Sequence, residues 1–379
     1  MKVQAPRRSM RIAFVCFSTS KGGLELKLIE IAQALQYKGH SILFVCPKDS
    51  PLHQACVRVN IPHLLHTPRF NYGSLPTAFT LARRFREFSI QYLIAGLSKD
   101  ISTAVLIKKF HGHLRLVYFQ QMQSGRDKKD FLHRWSYRRL DRWITLTHAM
   151  KQATERTTIV PPASIDVIPF GADLRAFRPG AFRPLQARRA FRLPTDKIII
   201  GLVGRFDPQK GQEYLLQAAP TILKALPDAH FVLVGEETRG EGGFLGHLKV
   251  LVKELGLSKN VHFLPFTDNV PFLLSAFDLV AMPSFSETFG YLAVEAMAMG
   301  VPVVGTNAGG LPEIIEDGTT GYLVPPKNSD QLASKIIAIL SNKRSSRVMG
   351  RRGILRVQKH FDFDKNLLQF ERILGRLSS

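Results

Sequence analysis

Hydrophobic residues along the chain fall into short runs separated by helical patterns. Arg11–Phe17 is apolar and rich in β-branched and aromatic residues, and it stops at Ser18-Thr-Ser-Lys-Gly-Gly23. That run predicts a short buried strand. Apolar positions then recur at Leu24, Leu28, Ile31, Ala32 and Leu35, with Gly39 as terminator, which predicts a helix. Ser41–Cys46 reads as a second buried strand, so the opening segment is a βαβ unit and implies a parallel sheet.

The same grammar restarts past the middle of the chain. Lys197–Val203 predicts a strand, Gly204–Gly211 a turn-rich loop, Gln212–Leu226 a helix and Phe231–Val234 a strand. Leu279–Met282, a helix opening at Thr288-Phe289-Gly290 and the strand Val301–Gly305 continue the alternation, with Pro302 at a strand start where a missing amide is tolerated. Between the two series, Phe170–Pro194 carries Pro179, Gly180, Pro184 and Pro194, the composition of a linker. The reading is α/β: two tandem doubly wound domains facing a cleft, with ligands at the carboxyl ends of the strands. Its boundaries are 1–170, a linker at 171–194, 195–362, and a closing amphipathic helix at 363–379 that completes the first domain.

Length and composition add limits. With 379 residues, 45% hydrophobic and 22% charged, the chain is long enough for two cores and is not a disordered sequence. No apolar stretch approaches the ~18 residues of a spanning helix. The N-terminal apolar run is too short for a secretory signal, and three cysteines (Cys16, Cys46, Cys56) are a poor basis for a disulfide framework. The expectation is a cytoplasmic protein. Charge is the unusual property: Lys plus Arg is 52 against 30 Asp plus Glu, net +22. Residues 1–170 hold 26 basic and 10 acidic groups, whereas 171–379 hold 26 and 20. The first half therefore suits an anionic partner. Its cations cluster at Arg83, Arg84 and Arg86, at Lys108 and Lys109, at Lys128 and Lys129, and at Arg134, Arg138, Arg139 and Arg142.

Candidate chemistry lies in the turns. Gly22 and Gly23 join a strand to a helix mouth, where glycine serves either close approach of an anion or conformation alone. Gly204-Arg-Phe-Asp-Pro-Gln-Lys-Gly211 places Arg205 and Lys210 in one tight loop, able to hold a diphosphate by a fork and a point charge. Pro283-Ser-Phe-Ser-Glu-Thr-Phe-Gly290 sets Glu287 before a helix and Glu295 within it. Glu295 falls roughly 7 Å along the axis beyond the helix opening at Thr288-Phe289-Gly290. Carboxylates accept from hydroxyls and helix-mouth amides bind phosphate, so polyol, diphosphate and second polyol in series describe a nucleotide sugar. Ala308-Gly-Gly-Leu-Pro-Glu313 either supplies amides to that ligand or turns the chain. The C-terminal half has no obvious metal-ligand cluster, and His262 reads as packing.

These motifs, with Gly300-Val-Pro-Val-Val304 and Val167-Ile-Pro-Phe-Gly-Ala-Asp173, resemble glycosyltransferase family 4, retaining enzymes of GT-B architecture. The resemblance runs from Arg11 to the closing helix and is most specific between Gly204 and Gly321. It implies a retaining, metal-independent glycosyltransferase with a nucleotide-diphosphate sugar as donor and no bound cofactor. Arg205, Lys210 and Glu287 become the catalytic residues. Gly22, Gly23, Gly204, Phe289, Gly290 and Glu295 become donor contacts, with Glu295 on the ribose. The implied acceptor is an anionic or lipid-linked glycan, lipopolysaccharide core being the leading example. Peripheral contact with an anionic membrane, on the cytoplasmic face of the inner membrane, follows from the basic first half. The chain departs from the family at three places. Gln121 stands where many relatives have a histidine near the reacting sugar, Pro265 replaces a common glycine, and Phe170 replaces an asparagine. A nucleotide-sugar epimerase or hydrolase on the same architecture is the second reading. A nucleic-acid-binding protein, suggested only by charge, is the third, and no nucleic-acid module supports it.

Overall fold

The computed structural model describes residues 9–20, 22–68, 70, 72–122, 125–237 and 242–377. The chain forms two compact units, Met1–Ile168 with Leu367–Ser379, and Pro169–Asn366. The first unit alternates β1 (Arg11–Val15), α1 (Gly23–Tyr37), β2 (Ser41–Cys46), α2 (Pro51–Arg58), β3 (His63–Leu65), α3 (Leu75–Glu87) and β4 (Tyr92–Ala95). It continues with α4 (Ile101–His111), β5 (Arg115–Phe119), α5 (Phe131–Tyr137), β6 (Arg142–Thr145), α6 (His148–Thr157) and β7 (Ile165–Val167). Its seven strands are ordered β3-β2-β1-β4-β5-β6-β7 and pair in parallel throughout. Continuous apolar runs are what a sheet covered on both faces requires. Ile12, Phe14, Phe44 and Leu93 are accordingly buried, and register sets Phe14 opposite Phe44 with rings stacked at 5.7 Å.

The second unit begins with α7 (Pro184–Ala190), β8 (Ile198–Val203), α8 (Gln212–Ala225), β9 (Ala229–Val234), α9 (Phe244–Glu254), β10 (Val261–Leu264) and α10 (Val270–Leu274). Then come β11 (Leu279–Met282), α11 (Tyr291–Ala298), β12 (Val303–Thr306), α12 (Leu311–Ile314), β13 (Gly321–Val324), α13 (Ser329–Leu340) and α14 (Lys343–His360); α15 (Phe363–Arg376) follows and from Leu367 onward belongs to the first unit. Six parallel strands are ordered β10-β9-β8-β11-β12-β13. Both sheets reverse direction once, at β1/β4 and at β8/β11. Such switch points leave a crevice at the strands' carboxyl ends.

The stretch 171–194, read from its prolines as a linker, belongs to the second unit. Arg188 on α7 is buried, donates to the carbonyls of Ala276, Thr195 and Lys197, and pairs with Asp278 at 2.8 Å. Phe170 is fully buried against Phe363, ring centroids 6.0 Å apart, so the aromatic side chain there is a packing element. α11 starts at Tyr291 with Gly290 as its N-cap, one residue beyond the expected opening. β12 starts at Val303, so Pro302 precedes the strand.

Candidate functional site

Two loops flank the switch point of the second sheet. The first follows β8. Asp207 accepts from the Gln209 amide at 2.8 Å and caps a single tight turn that presents Lys210. Gly211 then sits at φ +71°, and a Cβ there would lie 2.1 Å from the Pro283 carbonyl oxygen. Glycine is required on both counts, and its bareness seats this loop directly on the one that follows β11. The Phe285 amide completes the join by donating to the Gln209 carbonyl at 2.9 Å.

That seating brings together residues far apart in sequence. Lys210 Nζ lies 2.7 Å from Glu287 Oε1, and Ser284 Oγ donates to the same oxygen at 2.7 Å. The Glu287 side chain is only 14% exposed, so its charge is matched by a salt bridge and a hydroxyl rather than by bulk water. Behind it, the Gly310 amide donates to the Glu287 carbonyl at 2.6 Å, and a Cβ on Gly309 (φ +65°) would fall 2.0 Å from that carbonyl oxygen. The glycine loop after β12 is therefore a backrest for Glu287, a role its sequence left open.

Arg205 shares the loop with Lys210, its side chain 54% exposed and 3.7 Å from Asp207, while Gln212 clamps its carbonyl at 2.6 Å. Gly204 lies under the Lys210 stem, which an added Cβ would meet at an ordinary 3.5 Å. Phe289 is buried against Tyr291 and Phe361, anchoring the mouth of α11. Glu295 is half-buried on that helix, four residues beyond Tyr291. Ser284 and the Gly309-Gly310 backrest escaped sequence reasoning as positioning elements, because their contacts cross between loops.

In the first unit, Gly22 is the N-cap of α1 with extended backbone (φ −157°), a conformation open to any residue, and Gly23 has open space around its Cα. Lys21 lies outside the described residues. Glu25, in the first turn of α1, is buried and takes the Ser18 hydroxyl. Gln121 is 6% exposed and reaches the same turn, its Nε2 donating to the Leu24 carbonyl at 3.1 Å. Its Oε1 has no hydrogen-bond partner among the described residues. Gln121 and Gly22-Gly23 are thus neighbours through α1. Asp100 accepts from the Phe17 amide at 3.1 Å, and burial pushes its carboxyl up to about 7.

A cavity of about 340 Å³ opens at the carboxyl ends of β4, β5 and β6, with Lys99, Gln120, Met122 and Lys128 among its walls. The sequence offered only the Lys128-Lys129 pair as a hint. Several other basic residues are engaged locally: Arg83 and Arg84 with Glu87, Lys108 with Asp141, and Arg142 with Asp166. His262 faces His230 at 3.0 Å, and burial lowers both imidazole pKa values. Among the described residues, no group of three or more His, Cys, Asp or Glu side chains is placed to hold a metal. Cys16, Cys46 and Cys56 are unbridged and buried.

Comparison with known proteins follows this division. The model "Glycosyltransferase Family 4" matches residues 21–176, and "Glycosyl transferases group 1" matches 185–356. The D-inositol 3-phosphate glycosyltransferase of Mycobacterium avium (strain 104) is 41% identical over 181 residues, 47% of this chain and 41% of the relative. The match thus spans less than half of that relative's length. The crystal structure of Anabaena Alr3699/HepE in complex with UDP is similar over 97% of this chain and all of that one, with TM-score 0.85 and 25% identity. A glycosyltransferase from Rickettsia africae ESF-5 shares the fold, at TM-score 0.88 and 20% identity over 98% and 99% of the two chains.

Proposed function

We propose that this chain, which belongs to the group 1 glycosyltransferases of family 4, moves a sugar from a nucleoside-diphosphate donor to a hydroxyl of a glycan acceptor, with retention. The observation that carries the reading is the Lys210–Glu287–Ser284 cluster beside Arg205 at the second sheet's switch point. A cation and a buried carboxylate that neutralise one another can each turn to a ligand of opposite need: Lys210 to a phosphate oxygen, Glu287 to sugar hydroxyls. The HepE structure, solved with UDP, supports a nucleotide as part of the donor.

In this reading Arg205 and Lys210 grip the diphosphate, the amides of Phe289 and Gly290 close on it at the mouth of α11, and Glu295 takes the ribose hydroxyls. Gly204 leaves room for the donor beside the Lys210 stem. The bond from the anomeric carbon to the diphosphate oxygen breaks as the acceptor oxygen bonds to the same face. The acceptor's proton passes to the departing diphosphate. Gln121 carries no titratable proton, so it does not act as acid or base. Charge developing on the leaving group is met by the two cations, whose loops are already fixed; no cofactor or metal takes part. The basic first unit supports an anionic or lipid-linked acceptor, as in lipopolysaccharide or another cell-surface glycan, met on the cytoplasmic face of the membrane.

Thermal-shift screening against nucleoside diphosphates and their sugars tests the donor site, since a ligand of the folded state raises the midpoint. Arg205→Ala, Lys210→Ala and Glu287→Ala should each lower turnover by a factor of roughly 100 or more while the protein stays folded. Near-normal transfer by the Glu287→Ala protein contradicts the assignment. Donor consumption that needs no acceptor would mark a hydrolase or epimerase.

A further inference from the structure

The modest positive excess of the second half of the sequence is concentrated on one element. α14 carries five arginines and two lysines, and no carboxylate, across its 18 residues. A solvated helix face normally interleaves the two signs, and like charges three or four positions apart destabilise a helix. Arg344 with Arg347, Arg347 with Arg351 and Arg352 with Arg356 are such pairs. Arg356 is compensated: it approaches Glu316 at 3.6 Å and donates to the carbonyls of Glu313 and Ile314. Among the described residues, Arg344, Arg347, Arg351, Arg352 and Lys359 form no salt bridge.

Packing holds this helix where propensity does not. Gly350 and Gly353 lie within it, and each weakens a helix interior. Both are on the side that faces α11: a Cβ on Gly350 would lie 2.1 Å from the Gly300 carbonyl oxygen, and one on Gly353 would meet Met297 at 3.4 Å. Met349 and Val357 are buried with them. The opposite side is left pointing outward from a fixed seat. At about 100° per residue, Arg344, Arg352, Leu355 and Lys359 all project within about 40° of Val348 around the axis. Along that stripe the order is cation, Val348, the Arg351-Arg352 pair, Leu355, cation. Val348 is 42% exposed and Leu355 65%. They stand one heptad apart, the repeat of a seam between two helices.

We propose that this face of α14 docks an acidic amphipathic helix of a partner protein, which receives Val348 and Leu355 among its own apolar residues and turns its Asp and Glu to the flanking cations. Charge complementarity and spacing choose this occupant. A second copy of this chain would bring the same cations to the contact and be repelled. A bilayer surface has no register along a line, so it makes no use of an alternation at one-turn intervals. A nucleic acid has no counterpart for the two aliphatic positions, and the stripe offers no aromatic platform for bases. Arriving carboxylates relieve the like-charge crowding that the helix bears alone, so the contact gains selectivity as well as attraction. The fixed seat on α11 spares the cost of ordering α14 on binding.

The test uses the full chain and a labelled synthetic helix of about 21 residues, with leucine once per heptad and glutamate on its flanks. Fluorescence anisotropy at physiological salt compares it with a version carrying glutamine for glutamate and with disordered polyglutamate of equal charge. The glutamate helix should bind roughly tenfold or more tightly than either. Arg351→Glu with Arg352→Glu should lose roughly tenfold or more, and Leu355→Ser roughly fivefold. Arg83→Glu with Arg84→Glu makes the same change in net charge on α3 and should leave binding of the glutamate helix nearly unchanged. The reversed pair on α14 sets carboxylates four positions from Arg347 and Arg356, so its thermal midpoint should hold or rise. Its UDP-induced thermal shift should match that of the unmodified chain. No binding of the glutamate helix overturns the proposal, as does equal binding of polyglutamate or an equal loss in the α3 variant. Anionic vesicles or RNA that bind as tightly, and lose as much in the α14 variant alone, assign the face to that polyanion and overturn the helical partner. Absence of any UDP shift counts against the transferase reading and leaves the result on α14 intact.

Discussion

Glu287 is held on several sides: by Lys210 and Ser284 at its carboxylate, and by Gly309 and Gly310 at its backbone. Each restraint has a distinct consequence. Gly309→Ala puts a Cβ into the Glu287 carbonyl at a left-handed backbone position, and should cost about 2–3 kcal/mol of stability together with much of the turnover. Ser284→Ala removes one charge-assisted hydrogen bond without a clash. It should keep the thermal midpoint nearly unchanged while lowering turnover roughly tenfold to a hundredfold. Steady-state kinetics beside thermal unfolding separates the two, and equal midpoints for both variants would undo the backrest argument. Asp100 gives a pH signature. Its native carboxyl, raised by burial to about 7, binds a proton that the unfolded chain releases near pH 4. The stability it contributes is full below the unfolded value and is lost as pH rises through about 7. Urea unfolding should therefore find the protein weaker at about pH 8 than at about pH 5.5 by about 2 kcal/mol from this group. Asp100→Asn should flatten that dependence, and an unchanged slope in the variant refutes it.

Elements were easier to read than the contacts between them. β2 and β11 have the bounds their apolar runs predict, because strands buried on both faces are marked by composition alone. β1 stops at Val15, short of the expected Phe17, where the Phe17 amide turns to Asp100. The short β3, with no residue fully buried, leaves no comparable trace. Arg205, Lys210, Glu287 and Glu295 could be chosen from loop chemistry, yet their arrangement could not. Lys210 and Glu287 meet across 77 positions through Gly211 and Pro283, and the cavity at the ends of β4, β5 and β6 is assembled from several separate segments. α15 shows what an amphipathic pattern conceals. His40 Nδ1 accepts from the Met10 amide, so Nε2 carries the proton and donates to the buried Glu371 on α15 at 2.9 Å, with Lys38 at 3.1 Å from the other oxygen. Glu371→Ala strands these donors and should destabilise the first unit by about 2–3 kcal/mol in denaturant unfolding. Glu371→Gln keeps an acceptor and should lose less. If alanine and glutamine behave alike, the carboxylate has no special part in fastening the helix.

For the whole molecule, the net charge of +22 acts differently from any single contact. Arg83, Arg84 and Lys108 already have carboxylate partners, so much of the basic surface is organised for the fold and its excess is felt mainly as a field. Such a field draws an anionic surface from a distance and fades beyond the Debye length, about 8 Å at physiological salt. Membrane association of this origin should appear as sedimentation with anionic but not neutral vesicles, and it should weaken steeply as salt rises. Nucleic acid would respond to the same field, so added RNA should compete with vesicles in proportion to phosphate and without regard to sequence. The charge-swapped pair Arg83→Glu with Arg84→Glu lies outside the donor loops and outside the lining of the cavity at the ends of β4, β5 and β6. It should reduce vesicle binding while leaving the UDP-induced thermal shift intact. Were the full chain to sediment equally with neutral and anionic vesicles, the membrane part of the reading would fall, and the donor chemistry of the second unit would be untouched.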